Sequence, residues 1–194
     1  MATNIRCQTA IKNRIYANRK AEAPAIVGTE LRSELRSVQK RIARLRKAAL
    51  VLIKADKVMA RHRVQLNSIL GVADASAIRF VAELDVLPDG LTKGQWVASA
   101  GLDPVPYESG TSVKAKRRIS KKGNKHLRTA LNIPALVAAQ HCPEVKAYYE
   151  KLQARGLCKM SALCAVMRKL LQAIWGMYRS NTLWNPKLFY QDAP

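Results

Sequence analysis

Apolar residues in the first third of the chain recur at helical spacing. Leu31, Leu35, Val38, Ile42, Leu45, Ala49 and Leu52 follow steps of four and three, an a/d seam over three heptads. No glycine or proline interrupts residues 29–70. The pattern predicts one helix from Thr29, as N-cap, to about Leu66, roughly 55 Å long at ~1.5 Å per residue. Such a helix is too long to pack along its whole length on a small domain. The seam therefore predicts a dimerising coiled coil through Leu31, Leu35, Val38, Ile42, Leu45 and Leu52. An amphipathic helix folded back on its own domain is the alternative. Pro24 and Gly28 mark a break before it. Upstream, Ile5 to Ala23 reads as a second helix, with Ile11 and Ile15 on one face.

The remainder is punctuated more often. Residues 67–84 read as two short helices around a turn, and the I-x-G-V pattern at Ile69 to Val72 is like a helix-hairpin-helix. In that module backbone N–H groups meet a phosphate, which makes Gly71 a candidate contact; Ala73 stands where a second glycine is usual. Thr92 can cap a short helix that Gly101 ends and that Pro104 and Pro106 cannot continue. Residues 107–124 are polar, basic and glycine-punctuated, which suits a loop or short hairpin. His126 to Gln140 is helical, with Pro134 as a kink or first-turn residue. A further helix starts at Pro143 and ends at Gly156. From Lys159 to Arg179, the residues Leu163, Val166, Met167, Leu170, Leu171, Ile174 and Tyr178 form one core-facing stripe. The expected fold is mainly α: a long coiled-coil helix, then a compact helical domain with a helix-hairpin-helix-like start and an inserted basic loop or short β-hairpin. The expected division is a basic arm and linker at 1–66, a domain at 67–182 and a tail at 183–194.

Charge changes the picture. The 194 residues include 34 Lys+Arg against 13 Asp+Glu, a formal net charge of +21, while 48% hydrophobic residues can bury a core. A surplus of this size points to a polyanion, nucleic acid before membrane. It is also concentrated. Residues 1–66 hold 16 basic and 4 acidic residues, and residues 106–130 hold 8 and 1, around a slightly acidic segment. In the second block Lys114, Lys116, Arg117, Arg118, Lys121, Lys122, Lys125 and Arg128 follow one another with no acid between them. A run of this kind neutralises phosphates and reads no base sequence. Aromatics at 6% disfavour a stacking platform of the OB or RRM type. The four cysteines form no C-x-x-C and lack zinc spacing to the three histidines, so free thiols and no metal site are expected. No apolar run is long enough for a membrane span.

The motifs then carry a resemblance. Ala98-Ser-Ala-Gly-Leu-Asp-Pro104, Tyr107-Glu-Ser-Gly110, Arg118-Ile-Ser-Lys-Lys-Gly-Asn-Lys-His-Leu-Arg128, Cys142-Pro143, Tyr148-Tyr149, Arg155-Gly156 and Val166-Met-Arg-Lys-Leu-Leu171 occur in this order. Over residues 67–180 the series resembles the C-terminal transposase domain of the insertion-sequence class that includes the pilin-gene invertase and the bridge-RNA-guided recombinases. The heptad helix resembles that class's coiled-coil linker. On composition alone Ser109 is an ordinary turn residue. The resemblance implies that it is the nucleophile forming a covalent link to DNA, with Arg118, Lys121, Asn124 and Arg128 as phosphate-facing or loop-ordering neighbours. It implies a DNA transposase or recombinase, with DNA as partner and a guide RNA as an open second one, in a bacterial cytoplasm at the nucleoid.

Departures limit what the resemblance implies. Members also carry an N-terminal RuvC-like domain whose D-E-D-D acids bind Mg²⁺. Here the first acid is Glu22 and no region clusters carboxylates, so no cofactor is expected in this chain and Mg²⁺ only with that acidic domain. The expectation is a truncated frame or internal-start product that binds nucleic acid without recombining it. A non-catalytic binding and dimerisation fragment is the alternative function. An RNA-binding protein of ribosomal type is a more distant one.

Overall fold

A computed structural model describes residues 2–109 and 113–190, with the backbone alone for residue 2 and for residues 106–109 and 113–117. The chain divides into two compact units, Met1–Ala55 and Asp56–Pro194.

The first unit is a helical hairpin. Helix α1 (Ala2–Lys20) and helix α2 (Ala25–Ala55) are joined by four residues, with Glu22 in the left-handed region at φ 49°. Pro24 fixes the entry to α2, and its carbonyl accepts from Val27 N at 3.0 Å. The start of α2 differs from the expected one. Thr29 is not its cap; its hydroxyl donates back to Ala25 O at 3.1 Å within the helix. Gly28 does not break the helix either. It lies inside α2, where an added Cβ would come within 3.1 Å of Asn18 Nδ2 on α1, so the glycine allows close approach.

The expected continuous helix to Leu66 is also corrected. It stops at Ala55, and Asp56 caps a new helix α3 (Lys57–Asn67), its Oδ1 accepting from Val58 N at 2.8 Å and Met59 N at 2.9 Å. A carboxylate that satisfies two orphan amides and meets the positive helix end makes a better start than an interior residue.

The first half of the seam is covered by the chain's own α1. Ile11, Val38 and Ile42 are buried together, with Ile5, Ile15, Leu31 and Leu35 packed around them. Helix α1 reaches ~28 Å and α2 ~46 Å at 1.5 Å per residue, so α1 runs out before the seam does. Leu45 is 37% and Leu52 70% exposed.

The second unit packs around helix α8 (Lys159–Ser180). Its residues Leu163, Val166, Met167, Leu170, Leu171 and Ile174 are all buried, as the stripe requires. They meet helix α6 (Lys125–His141), helix α5 (Lys93–Ser99), helix α7 (Pro143–Ala154) and α3. Helix α4 (Asp74–Leu84) buries Phe80, Val81 and Leu84 against α3 and α6. Fully burying each large aliphatic or aromatic side chain stabilises by about 1.5–3 kcal/mol. Alanines 130, 135, 138 and 139 on α6 let its neighbours approach closely. Pro134 sits inside α6, which continues through it. Gln65, buried, donates from Nε2 to Met177 O at 2.9 Å and Thr182 O at 3.1 Å, satisfying carbonyls where α8 ends.

Two strands, β1 (Pro104–Ser109) and β2 (Val113–Ile119), form an antiparallel hairpin between α5 and α6. The tail docks through the short 3₁₀ turn Pro186–Leu188: Trp184 N donates to Ser68 Oγ at 2.9 Å, and Phe189 is buried against the ring of Tyr148. The architecture is mainly α with this one small sheet among the described residues.

Candidate nucleic-acid interface

The basic hairpin is the candidate site, and its two ends are fixed in one place. Thr92 starts α5 with a capping box: Gln95 N donates to Thr92 Oγ1 at 3.3 Å and Thr92 N to Gln95 Oε1 at 2.8 Å. The helix ends at Gly101, in the left-handed region at φ 62°. Residues 120–124, which follow β2, lie directly on this end. Ser120 N donates to Asp103 O at 2.9 Å, Lys121 N to Gly101 O at 3.1 Å and Asn124 N to Ser99 O at 2.6 Å. The Ser120 hydroxyl donates to Asp103 Oδ1 at 2.5 Å. Lys121 adopts φ 56° to make the turn.

Two glycines make the approach possible. A Cβ on Gly123 would stand 2.2 Å from Ser99 O and 2.4 Å from Gly101 N, and one on Gly101 would stand 2.6 Å from Gly123 N. Neither position has room for a methyl group. Arg128 closes the clamp, its Nη1 donating to Ala100 O at 2.8 Å and Gly123 O at 3.0 Å. Asn124 caps α6, Oδ1 accepting from His126 N at 2.8 Å, while its Nδ2 donates to Glu83 Oε2 at 2.5 Å.

The sequence-derived site residues therefore fall into groups. Asn124 and Arg128 use their side chains to order the loop. Arg118, Lys121, Lys122 and Lys125 are exposed at the hairpin base and the start of α6. Lys114, Lys116 and Arg117 lie on β2, and Ser109 ends β1, with Ser109 opposite Val113 and Glu108 opposite Lys114. Between the pairs Val105/Arg118 and Tyr107/Ala115, β2 carries one residue more than β1, a bulge. Gly110, the second residue of the Ser-Gly step, lies outside the described residues. Gly71 has φ 90°, and its Cβ would stand 2.8 Å from Val137 Cβ on α6, so close helix packing alone requires the glycine. At the adjacent start of α4, Asp74 accepts from Arg63 Nη2 at 2.8 Å and Asn67 Nδ2 at 2.8 Å.

Sequence reasoning missed Glu83, Asp103 and Ser120 as clamp partners, because their contacts span 17 to 41 positions. Burial raises the pKa of Cys142 and of Cys164, in the latter case against the lowering effect of Lys121. Lys169 lies under the rings of Tyr148, Phe189 and Tyr190, and burial lowers its pKa. Among the described residues no group of three or more His, Cys, Asp or Glu side chains is placed to hold a metal ion, and no helix is long and apolar enough to cross a membrane.

The clamp and hairpin fall within a stretch with known counterparts. Residues 64–150 match the family described as Transposase IS116/IS110/IS902 family, so this part of the chain is similar to that transposase class. The chain is 30% identical over 90 residues to the pilin gene-inverting protein of Moraxella lacunata, covering 46% of this chain and 28% of that protein. It is 28% identical over 121 residues to the insertion element IS116 uncharacterized 44.8 kDa protein of Streptomyces clavuligerus, covering 62% and 30%. The insertion element IS900 uncharacterized 42 kDa protein of Mycobacterium paratuberculosis is 29% identical over 87 residues, covering 45% and 22%. The matches span less than a third of each of these relatives.

Proposed function

We propose that the chain is the nucleophile-bearing part of a DNA transposase or recombinase, with Ser109 as the attacking residue. In this reading the Ser109 oxygen loses its proton and bonds to a DNA phosphorus. The P–O bond to the deoxyribose breaks, and its oxygen leaves as a hydroxyl. A hydroxyl from the second strand reverses the step and releases the serine. The exposed cations Arg118, Lys121, Lys122 and Lys125 balance charge on the phosphate under attack. What supports the reading is the clamp. Its residues lie within the stretch that matches the transposase family, and they fix both ends of the strand pair that carries Ser109.

The described residues do not fit a divalent cation, so no step is assigned to one here. Mg²⁺ would be held by an acidic domain of the kind the class carries, in cis or in trans. DNA is the first partner and a guide RNA a second polyanion for the same cations. Self-association is assigned to the uncovered end of the seam at Leu45 and Leu52.

The experiment is a denaturing-gel search for a protein–DNA adduct. It compares a full-length relative carrying the matching Ser→Ala change, and this chain with Ser109→Ala, against their parents with an acidic domain supplied. Loss of the adduct in the alanine forms is expected. An adduct that persists in them removes Ser109 as nucleophile. Salt-dependent binding that Ser109→Ala leaves unchanged, with no adduct in any form, favours the non-catalytic binding fragment.

A further inference from the structure

The second unit also holds a cleft of about 420 Å3 between α3, the loop 85–91, α5 and the end of α8. Its polar core is organised. His62 Nδ1 lies 3.0 Å from Asp85 Oδ1 and 3.1 Å from Oδ2, with side chains only 12% and 8% exposed. The His62 ring stacks on Tyr178 with centroids 3.7 Å apart and planes 12° apart, and Trp96 meets Tyr178 edge-on at 5.7 Å. The Tyr178 hydroxyl lines this cleft, buried and beside the Asp85 carboxylate. Trp175 also lines the cleft, held by its indole N–H donating to Leu91 O at 2.8 Å, with the Arg179 guanidinium 5.2 Å from its ring centroid.

The chemistry of the lining selects an occupant. Asp56, Asp85 and Asp89 line the cleft beside Arg61 and Arg179, so a phosphate seated inside would meet carboxylates. A neutral flat ring meets no such repulsion. It gains from aromatic faces, and its amino and ring N–H groups suit carboxylate and hydroxyl acceptors. Arg61 and Arg179 are both exposed and suit the flanking phosphates. We propose that this cleft takes one unpaired nucleobase of a single-stranded segment, with the adjoining phosphates on Arg61 and Arg179. The proposal rests on the nucleic-acid reading above and adds the strand form that is bound. It is a single seat formed by residues far apart in sequence, so the low aromatic content that disfavours a stacking platform does not exclude it.

The test uses the full chain and three fluorescent probes of equal length at one salt concentration: a single strand, the same single strand made abasic, and a duplex. Val58→Trp places a ring at the cleft mouth, at a side chain 49% exposed, so the fold should tolerate it. Arg61→Ala with Arg179→Ala removes the flanking cations. Lys121→Ala with Lys122→Ala serves as the comparison at the hairpin. Thermal melting confirms folding of each variant.

Base-bearing single strand should bind the wild type roughly tenfold tighter than the abasic strand. Val58→Trp should abolish that difference and change duplex binding by less than about twofold. The arginine pair should weaken the base-bearing strand more than the duplex, and the hairpin pair should weaken all three probes. The cleft proposal is overturned if abasic and base-bearing strands bind alike, or if Val58→Trp leaves their difference intact. Binding to none of the probes overturns the nucleic-acid reading itself. Ordinary duplex binding with no cleft effect overturns the cleft alone.

Discussion

Replacing Gly123 by alanine should dismantle the clamp. The new Cβ would stand 2.2 Å from Ser99 O, 2.4 Å from Gly101 N and 2.7 Å from Ala98 O, all of them backbone atoms that no rotamer change can move. Ordinary contact needs ~3.4 Å or more, so the loop and the end of α5 must part by about 1 Å. The bonds across this seam are Asn124 N to Ser99 O at 2.6 Å, Lys121 N to Gly101 O at 3.1 Å and the Arg128 fork at 2.8 and 3.0 Å. Each contributes about 1 kcal/mol net, and overpacking adds about 1–3 kcal/mol, with part of the loss recovered by solvent. The expected destabilisation is about 3–5 kcal/mol, a fall in Tm of about 10–20 °C for a unit of this size. Circular dichroism melting at 222 nm reads it. Faster hydrogen exchange at the Asn124 amide localises it. Gly176→Ala is the counter-case: nothing lies within 4 Å of its added Cβ one turn before the end of α8, so helix propensity alone should stabilise by up to about 1 kcal/mol. A Gly123→Ala protein melting within about 2 °C of wild type, equivalent to about half a kcal/mol, would refute the clamp.

Asp56→Ala removes the cap of α3 and should cost about 1 kcal/mol, read as a Tm lowered by about 3 °C; no change would mean that Val58 and Met59 amides need no carboxylate. Lys121→Ala with Lys122→Ala should flatten the slope of log affinity against log salt by about 1–2 for duplex DNA, measured by anisotropy titration. Tyr178 has its pKa raised by burial and by the Asp85 charge. Above about pH 10 the unfolded chain loses this proton while the folded one keeps it, so stability falls as pH rises there, by up to about 1.4 kcal/mol per unit. Tyr178→Phe should lessen that fall between pH 10 and 11 in melts run side by side, and equal slopes would contradict the assignment.

What was legible in the sequence followed from local chemistry. Thr92, Gly101, Pro143 and Gly156 mark ends of α5 and α7 because caps, left-handed turns and missing amides act on adjacent residues. The stripe on α8 reports its buried face directly. The failures arose where one residue type serves two local roles. Thr29 reads as a cap, yet its hydroxyl satisfies Ala25 O from inside the helix. Asp56 falls inside the one helix predicted to run to about Leu66, yet it starts another. The heptad seam shows which face is apolar and is silent on whether the covering helix comes from the same chain, as α1 does for Val38 and Ile42. The order of the motifs between Ser99 and Arg128 was visible, but the reason for it was not. Gly101 and Gly123 each need the other's missing Cβ, and spacing along the chain does not encode that mutual contact.

That contact alters what the motif means. A glycine-rich basic stretch suggests backbone amides arranged around phosphate, but here Gly101 and Gly123 are used up in packing on one another, and the Arg128 and Asn124 side chains are spent on carbonyls, amides and Glu83. The cations left to face a polyanion at the hairpin base are Arg118, Lys121, Lys122 and Lys125, and all of them follow the turn; β1 itself contains none. Under the proposed chemistry, charge stabilisation therefore comes from one side of the hairpin, while the acid beside Ser109 is Glu108, paired across the ladder with Lys114. A phosphate held from one side leaves its other face open. Groups brought by another domain must approach there, and removing Lys121 and Lys122 should lower the salt sensitivity of any adduct formation, because fewer counterions are released, while adduct formation at low salt persists through the second domain's own contacts.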